Sequence, residues 1–314
     1  MKKLLIVSSV YNEEKSIEDF INEIYIQFEN FKKNFTLPIT LELILANNKS
    51  KDKSLEKIIE LKNKFPFLRV FDNKDNYGFD VSVLNILKNN SGDFNLILCS
   101  DLEDPPKLGF EMLGELVLNK ELDACIAIKK DQNLSILNFF RSIYYVMTSF
   151  STRTTLIRGF HGFGAYREKV ILNSILYAKK ANPDVRKSLL WSIKSLKKFK
   201  YIKKTRKKGI SSYSLKSYFQ EGINQFINSP SLSSRISIRV AFFSILLLIF
   251  LIIFFFINFF IRILDFPGGI TSILIITLLS STINYFLFAL NAKQIEKIVL
   301  PNILEIASAD EIKE

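Results

Sequence analysis

Cysteine is almost missing from this chain: its 314 residues contain two, Cys99 and Cys125, each in an apolar, strand-like run. Two such thiols cannot form the framework that staples small secreted folds, so no disulfide is expected and a reducing compartment is. Repeats and low-complexity tracts are missing as well, which excludes a repeat array. The first apolar run, Leu4 to Val7, is too short for a signal core and stops at Tyr11-Asn-Glu-Glu14, so no cleavable leader is expected. Acidic residues vanish between Val185 and Gln220, where every charged side chain is Lys or Arg, and the formal net charge is +12. That imbalance calls for an anionic partner, either nucleic acid or a lipid surface.

Charge of either sign vanishes in two further places. Val240 to Ile261 has only Ser244 and Asn258 as polar residues, and Ile270 to Leu290 is also uncharged. At ~1.5 Å per residue either helix spans a ~30 Å hydrocarbon core. Arg262-Ile-Leu-Asp265-Phe-Pro-Gly-Gly269 between them carries the Pro and Gly of a helix-helix turn, so a transmembrane hairpin is expected. Arg235 and Arg239 precede it and Lys293 and Lys297 follow, which sets both ends in the cytoplasm. The apolar excess (48% hydrophobic residues) lies near this end, and the preceding part carries ordinary charge. A basic segment beside a bilayer favours the lipid surface over nucleic acid.

The first half alternates short β-like runs with helical patterns. Strands are expected at Leu4–Ser9, Leu41–Ala46, Leu68–Phe71, Phe94–Cys99 and Ala124–Ile128. Helices are expected at Ser16–Phe31, Lys53–Lys64, Val81–Lys88 and Lys107–Val117. This βαβ order predicts an α/β fold with a doubly wound, mostly parallel sheet, which binds ligands at the carboxyl ends of its strands. Polar loops fall there: Tyr11-Asn-Glu-Glu14, Asn47-Asn-Lys-Ser50, Asp75-Asn-Tyr-Gly78 and Asp101-Leu-Glu-Asp-Pro-Pro106. The last is the most informative, because carboxylates beside paired prolines form a rigid, solvent-reachable set for a hard divalent cation. Further on, the expectations are a helix at Ile136–Phe150, a glycine-rich turn at Gly159–Gly164, a helix at Val170–Ala178 and a strand at Lys198–Thr205. An amphipathic helix at Tyr213–Ile227 is expected to lie on the bilayer. Asp80 reads as a helix cap and Trp191 as a core residue.

In order along the chain, these motifs resemble those of the family 2 glycosyltransferases, specifically the polyprenyl-phosphate type with a GT-A domain and a C-terminal membrane hairpin. Val10-Tyr-Asn-Glu-Glu14 is similar to the family's nucleotide-contacting turn, Asn76-Tyr-Gly78 to its Asn-x-Gly loop, and Asp101-Leu-Glu-Asp-Pro-Pro106 to its Asp-Leu-Gln-Asp-Pro-Pro. Gly162-Phe-Gly-Ala-Tyr-Arg167 resembles a subgroup segment, and Arg206-Lys-Lys-Gly-Ile-Ser-Ser-Tyr213 resembles an Arg-x-x-Gly-x-Ser loop before the membrane. The resemblance implies a GT-A domain over residues 1–212, an interfacial segment over 213–234, a transmembrane hairpin over 235–292 and a cytoplasmic tail over 293–314. It implies inverting transfer from a nucleotide-diphosphate sugar to a polyprenyl phosphate, with Mg²⁺ or Mn²⁺ as cofactor, at a bacterial inner membrane. Asp101, His161 and Arg206 are the implied catalytic residues, with Asp101 also the metal ligand. Ser9, Tyr11, Asn12, Glu13, Asn47, Asn48, Asn76, Gly78, Ser100, Asp101 and Asp104 are implied at the nucleotide sugar. Arg206, Lys207, Lys208 and Ser211 are implied at the lipid phosphate. A flippase or further copies of the chain are implied partners.

The chain departs from the family pattern at three points. Asn47-Asn-Lys-Ser50 stands for Asp-Asp-Gly-Ser, Cys99-Ser-Asp101 for Asp-x-Asp, and Ser9 for a proline. Asparagine keeps hydrogen bonds but brings no charge, and a thiol is a poor ligand for magnesium or manganese. His161, the only histidine, stands where relatives carry an Asp near the acceptor. The departures motivate a second expectation, a catalytically silent relative that binds nucleotide or lipid. A processive synthase is excluded by the missing Gln-x-x-Arg-Trp motif and the small number of spans.

Overall fold

The computed structural model describes residues 1–130, 157–180, 184–202, 230–261, 269–306 and 309–312. The expected helices at 136–150 and 213–227, the basic loop at 206–213 and the turn between the apolar spans lie outside them.

The first half follows the βαβ pattern: β1 (Lys2–Val10), α1 (Ile17–Asn34), β2 (Ile39–Asn47), α2 (Ser54–Lys64), β3 (Leu68–Asn73), α3 (Gly78–Asn89), β4 (Phe94–Ile97), α4 (Pro106–Leu118) and β5 (Ala124–Lys129). Then come β6 (Gly164–Arg167), α5 (Glu168–Lys180), α6 (Val185–Ser192), β7 (Leu196–Tyr201), α7 (Pro230–Ile261), α8 (Ile270–Ile306) and β8 (Ala309–Ile312). The strands form one sheet in the order β7-β5-β6-β4-β1-β2-β3-β8. β1 runs parallel to β2 and β4, β2 to β3, and β5 to β7. β6 is antiparallel between β4 and β5, and β8 is antiparallel on the β3 edge.

Alternation along the strands explains why both faces are covered. In β1, Leu4, Ile6 and Val10 enter one core while Leu5 and Val7 enter the other; in β2, Leu43 and Leu45 oppose Ile44 and Ala46. Helix α1 closes the first core with Phe20, Ile21, Ile24, Phe28 and Phe31, and α3 closes the second with Val83, Leu84, Ile86 and Leu87. Each fully buried Leu, Ile or Phe contributes about 1.5–3 kcal/mol. Strand order reverses between β1 and β4, opening the crevice where such sheets bind ligands.

Several expectations are corrected. The run Phe94–Cys99 stops being a strand at Ile97, because the chain turns and the Cys99 amide donates to Asp104 Oδ2 at 3.4 Å. The glycine-rich segment ends in a strand, β6, which the glycine at 164 permits: a Cβ there would lie 2.7 Å from the Cys125 carbonyl oxygen across the β5 pairing. Trp191 is 55% exposed and stacks on Tyr177 at 4.9 Å. Helix α6 turns Val185, Ser188, Leu189 and Ser192 inward, and the 3.6-residue period leaves Trp191 outside that stripe. Asp80 is not a helix cap; it accepts a hydrogen bond from the Val185 amide at 3.3 Å and so ties α3 to α6.

A second compact unit contains the apolar helices. Ile236–Asn258 and Ser272–Gln294 are long and apolar enough to cross a membrane, with mean hydropathies of 3.3 and 2.0. Large side chains such as Phe242, Phe256 and Ile273 are exposed, whereas Ala241, Ala289 and Ala292 are buried. The hydroxyls of Ser244, Thr277, Ser281 and Thr282 each donate to the carbonyl four residues earlier, at 2.7–2.8 Å. The helices thus satisfy these hydroxyls within their own backbone.

Candidate active site

Three of the polar loops at the carboxyl edge of the sheet share an unusual backbone state. Asn12, Lys49 and Leu102 have φ of 57°, 60° and 60°, and they are the non-glycine residues with positive φ among those described. Side chains other than Asn and Asp disfavour this region, at a cost of about 1–3 kcal/mol each. All three follow parallel strands, β1, β2 and β4. Among the described residues, the backbone strain at Lys49 and Leu102 therefore falls on the edge where ligands of such sheets bind.

The β1 and β2 loops are laced together. The Asn12 amide donates to Ser50 Oγ at 3.1 Å, and Asn12 Oδ1 accepts from the Lys51 amide at 2.8 Å. The Glu13 amide donates to Ser54 Oγ at 2.7 Å, and a carboxylate oxygen of Glu13 accepts from Ser16 Oγ at 2.6 Å. Tyr11 and Asn12 are exposed, Tyr11 at 38%. Asn47 and Asn48 are buried, and their side chains brace the loop bases. Asn47 Nδ2 donates to Asp72 at 2.6 Å, while Asn48 Oδ1 accepts from the Tyr77 amide, Ser82 Oγ and Asn73 Nδ2 at 2.9–3.2 Å. Asn48 therefore anchors the Asn76-Tyr-Gly78 loop. Asn76 Oδ1 accepts from the Gly78 amide at 3.0 Å, and Gly78 adopts φ +76° with open space where a Cβ would stand.

The β4 loop forms the second half of the site. Ser100 is buried and donates to the Ser9 carbonyl at 3.0 Å, fastening this loop to the end of β1. Asp101, half-buried, accepts the Glu103 amide at 3.0 Å. Asp104 is fully buried immediately before the N-terminus of α4, where the helix dipole favours a negative charge. It accepts from Tyr201 Oη at 2.6 Å, and its two oxygens lie 2.9 and 3.1 Å from His161 Nε2. Burial, then the charge of Asp104, push Tyr201 far above the usual phenol range, so it stays a donor.

Topology explains this convergence. Because β6 runs antiparallel to β4, its first residue pairs with the last of β4 (Gly164 with Ile97). The turn before β6 therefore arrives beside the loop after β4. β7 runs parallel to β5 and ends at Tyr201 on the same edge. The turn around His161 needs Gly159 at φ +80° and Gly162 at φ +104°. The buried Tyr166 hydroxyl then clamps it, donating to the Gly162 carbonyl at 2.7 Å. This gives the Gly-Phe-Gly-Ala-Tyr segment a physical meaning: the tyrosine locks the turn that presents the histidine.

Of the residues expected from sequence, the structure brings Asp104 and His161 into contact and joins Asn48 to the Asn76 loop. Arg206, Lys207, Lys208 and Ser211 lie outside the described residues. Tyr201 and the bracing partners Asp72, Asn73 and Ser82 were not expected. Tyr201 lies inside the expected strand Lys198–Thr205 and ends the observed β7, but nothing local shows that its partner lies 97 residues earlier. Asp80 and Asp184 form another cluster. Burial, then the charge of Asp184, push Asp80 up to about 6. Burial alone would raise Asp184, but Arg186 and Lys187 overcome it and hold that carboxyl below its usual value.

Residues 5–174 match the model of glycosyl transferase family 2, so the chain belongs to that family. With the mixed sheet described above, this gives a GT-A glycosyltransferase carrying two C-terminal helices long and apolar enough to span a membrane. An uncharacterized glycosyltransferase of Bacillus subtilis, YkcC, is 25% identical over 72% of this chain and 68% of its own length. A dolichol-phosphate mannosyltransferase of Pyrococcus furiosus is 26% identical over 34% of this chain but only 28% of its own length. Among solved structures, glucosyl-3-phosphoglycerate synthase of Mycobacterium tuberculosis with uridine diphosphate matches at 15% identity and a TM-score of 0.47, over 74% of this chain and 80% of that one.

Proposed function

We propose that this glycosyltransferase moves a sugar from a nucleotide-diphosphate donor to a membrane polyprenyl phosphate, with inversion at the anomeric carbon. The observation that carries the reading is the pairing, in one family 2 chain, of a strained polar strand-edge site with two apolar helices. The donor would lie across the loops of Tyr11 to Glu13, Asn76 to Gly78 and Ser100 to Asp104. Asp101 and Glu103 offer oxygen ligands on a turn fixed by Leu102 and the prolines, a donor set that suits a hard Mg²⁺ or Mn²⁺. Bound there, a divalent cation supplies charge neutralisation for the diphosphate leaving group. A lipid-phosphate oxygen attacks the anomeric carbon from the face opposite the diphosphate; the new C–O bond forms as the bond to the diphosphate breaks. The acceptor is a phosphomonoester with a second pKa of roughly 6, so it arrives ionised and needs no strong base. His161 would orient it, and Arg206, Lys207, Lys208 and Ser211 would hold its charge at the membrane face. Residues 1–212 would be the cytoplasmic catalytic domain, with 213–234 on the inner leaflet of a bacterial plasma membrane.

A second reading, a silent relative that binds nucleotide or lipid, is favoured by Asn47 and Asn48, which brace loops where the family carries acids, and by Cys99 at the strand end. One experiment separates the two. Detergent-solubilised protein is incubated with polyprenyl phosphate, Mg²⁺ or Mn²⁺ and a panel of labelled nucleotide sugars. Label entering the organic phase supports transfer and names the donor; no transfer from any sugar leaves the silent reading.

A further inference from the structure

We infer that Cys99, Asp104 and His161 form a binding site for a thiophilic divalent cation of the zinc type, beside the oxygen ligands of Asp101. The Cys99 sulfur, an Asp104 oxygen and a ring nitrogen of His161 all lie within 4.8 Å of one another. Thiolate, imidazole and carboxylate together are a ligand set for zinc, and they suit magnesium or manganese poorly. His161 Nε2 and Asp104 Oδ2 are 2.9 Å apart. Two ligands each ~2.0–2.2 Å from a tetrahedral zinc would stand only slightly farther apart, so a small adjustment admits the ion.

Three further observations fit a built site. Asp104 is fully buried, and burying a carboxylate is costly unless charge or hydrogen bonds compensate it. Tyr201 Oη donates to Asp104 Oδ1 and the Cys99 amide to Oδ2, as the outer partners of metal ligands commonly do. The ligands also sit on two separately fixed segments: Cys99 and Asp104 on the loop between β4 and the proline start of α4, and His161 in the glycine turn that Tyr166 locks. Cys99 and His161 are partly exposed, so three protein ligands leave the fourth position open towards solvent for water or an anionic oxygen. The inference rests on the glycosyltransferase reading for one point only: an ion there would bring positive charge to the acceptor side, through His161 as its ligand.

The composition makes the test unusually clean. The chain has one histidine and two cysteines. The other cysteine, Cys125, is fully buried in β5, and burial pushes its thiol up to about 11. Chelator-stripped full-length protein in detergent is titrated with Co²⁺ alone, following the thiolate-to-cobalt charge-transfer absorption. The expected result is one equivalent with a thiolate band, displaced by Zn²⁺ and not by excess Mg²⁺. The band is retained in Cys125→Ser and lost in Cys99→Ser. Affinity should fall in His161→Ala by at least the roughly 10–100-fold that losing even an outer partner costs. Far-UV circular dichroism establishes that each variant is folded, and the single imidazole resonance of the wild type should shift on adding Zn²⁺. No thiolate band at millimolar Co²⁺, or a band that survives Cys99→Ser, overturns the inference. Sugar transfer is not part of this readout, so an active enzyme without the band sinks the metal site alone, and a band without turnover sinks only the enzymatic reading.

Discussion

Replacing Asp80 by Asn should make this protein more stable at neutral pH, although it removes a charged residue from the edge of the site. Asp80 is pushed from 3.8 up to about 6, first by burial and then by the charge of Asp184. A carboxyl whose folded pKa is raised binds its proton more tightly in the native state. Its favourable contribution is complete below about pH 3.8 and is lost as pH rises through about 6. Each pKa unit corresponds to about 1.4 kcal/mol, so at pH 7 the ionised group opposes folding by about 3 kcal/mol. Asparagine keeps an oxygen for the Val185 amide and never ionises. Denaturant or thermal midpoints of wild type and Asp80→Asn across pH 4 to 7.5 provide the assay. The variant should gain stability at pH 7, by up to about 3 kcal/mol, and the two curves should converge towards pH 4. Asp184→Asn should behave oppositely, because Arg186 and Lys187 hold that carboxyl low and lose their partner. An Asp80→Asn variant less stable than wild type at pH 7, or a gap independent of pH, would show that ionised Asp80 does not oppose folding.

Three other outcomes follow from the geometry. Tyr166→Phe removes a fully buried hydroxyl and leaves the Gly162 carbonyl without that donor, so unfolding midpoints should fall by an amount equal to roughly 1–3 kcal/mol. Gly162→Ala places a Cβ at φ +104° and forces the His161 turn to shift; transfer should fall more than donor binding does, which steady-state kinetics and nucleotide titration can compare. Cys99→Asp restores a carboxylate beside Asp101, so the Mg²⁺ concentration needed for half-maximal transfer should drop. An unchanged metal dependence would show that position 99 does not face the ion.

The parallel strands were legible because burial on both faces gives continuous apolar runs between turn-forming residues, as in Leu4–Val7 and Leu43–Ala46. The four polar loops at their ends were legible for the same reason. Parts of the site that depend on distant pairing were not. β6 is short and begins with a glycine, so its strand character comes from the β4 and β5 backbones rather than from its own side chains. Tyr201 meets Asp104 only because β7 docks on β5, a contact that no local pattern reports. The inward turn of Asn47 and Asn48 was hidden too: asparagine bonds equally well to a ligand or to a neighbouring loop, and only the packed β3 end decides. Trp191 shows the converse failure, since its size suggests core while its angular position on α6 places it outside.

The proposed transfer of sugar to a lipid phosphate at the edge of this sheet depends on Asp101. The most direct measurement compares wild type and Asp101→Ala for movement of labelled sugar from its nucleotide into polyprenyl phosphate, with folding of both checked by circular dichroism. Metal-dependent transfer by the wild type is expected, with loss of transfer, by about a hundredfold or more, in the folded variant. Equal transfer by the two, or none by the wild type with any donor, would contradict that proposal.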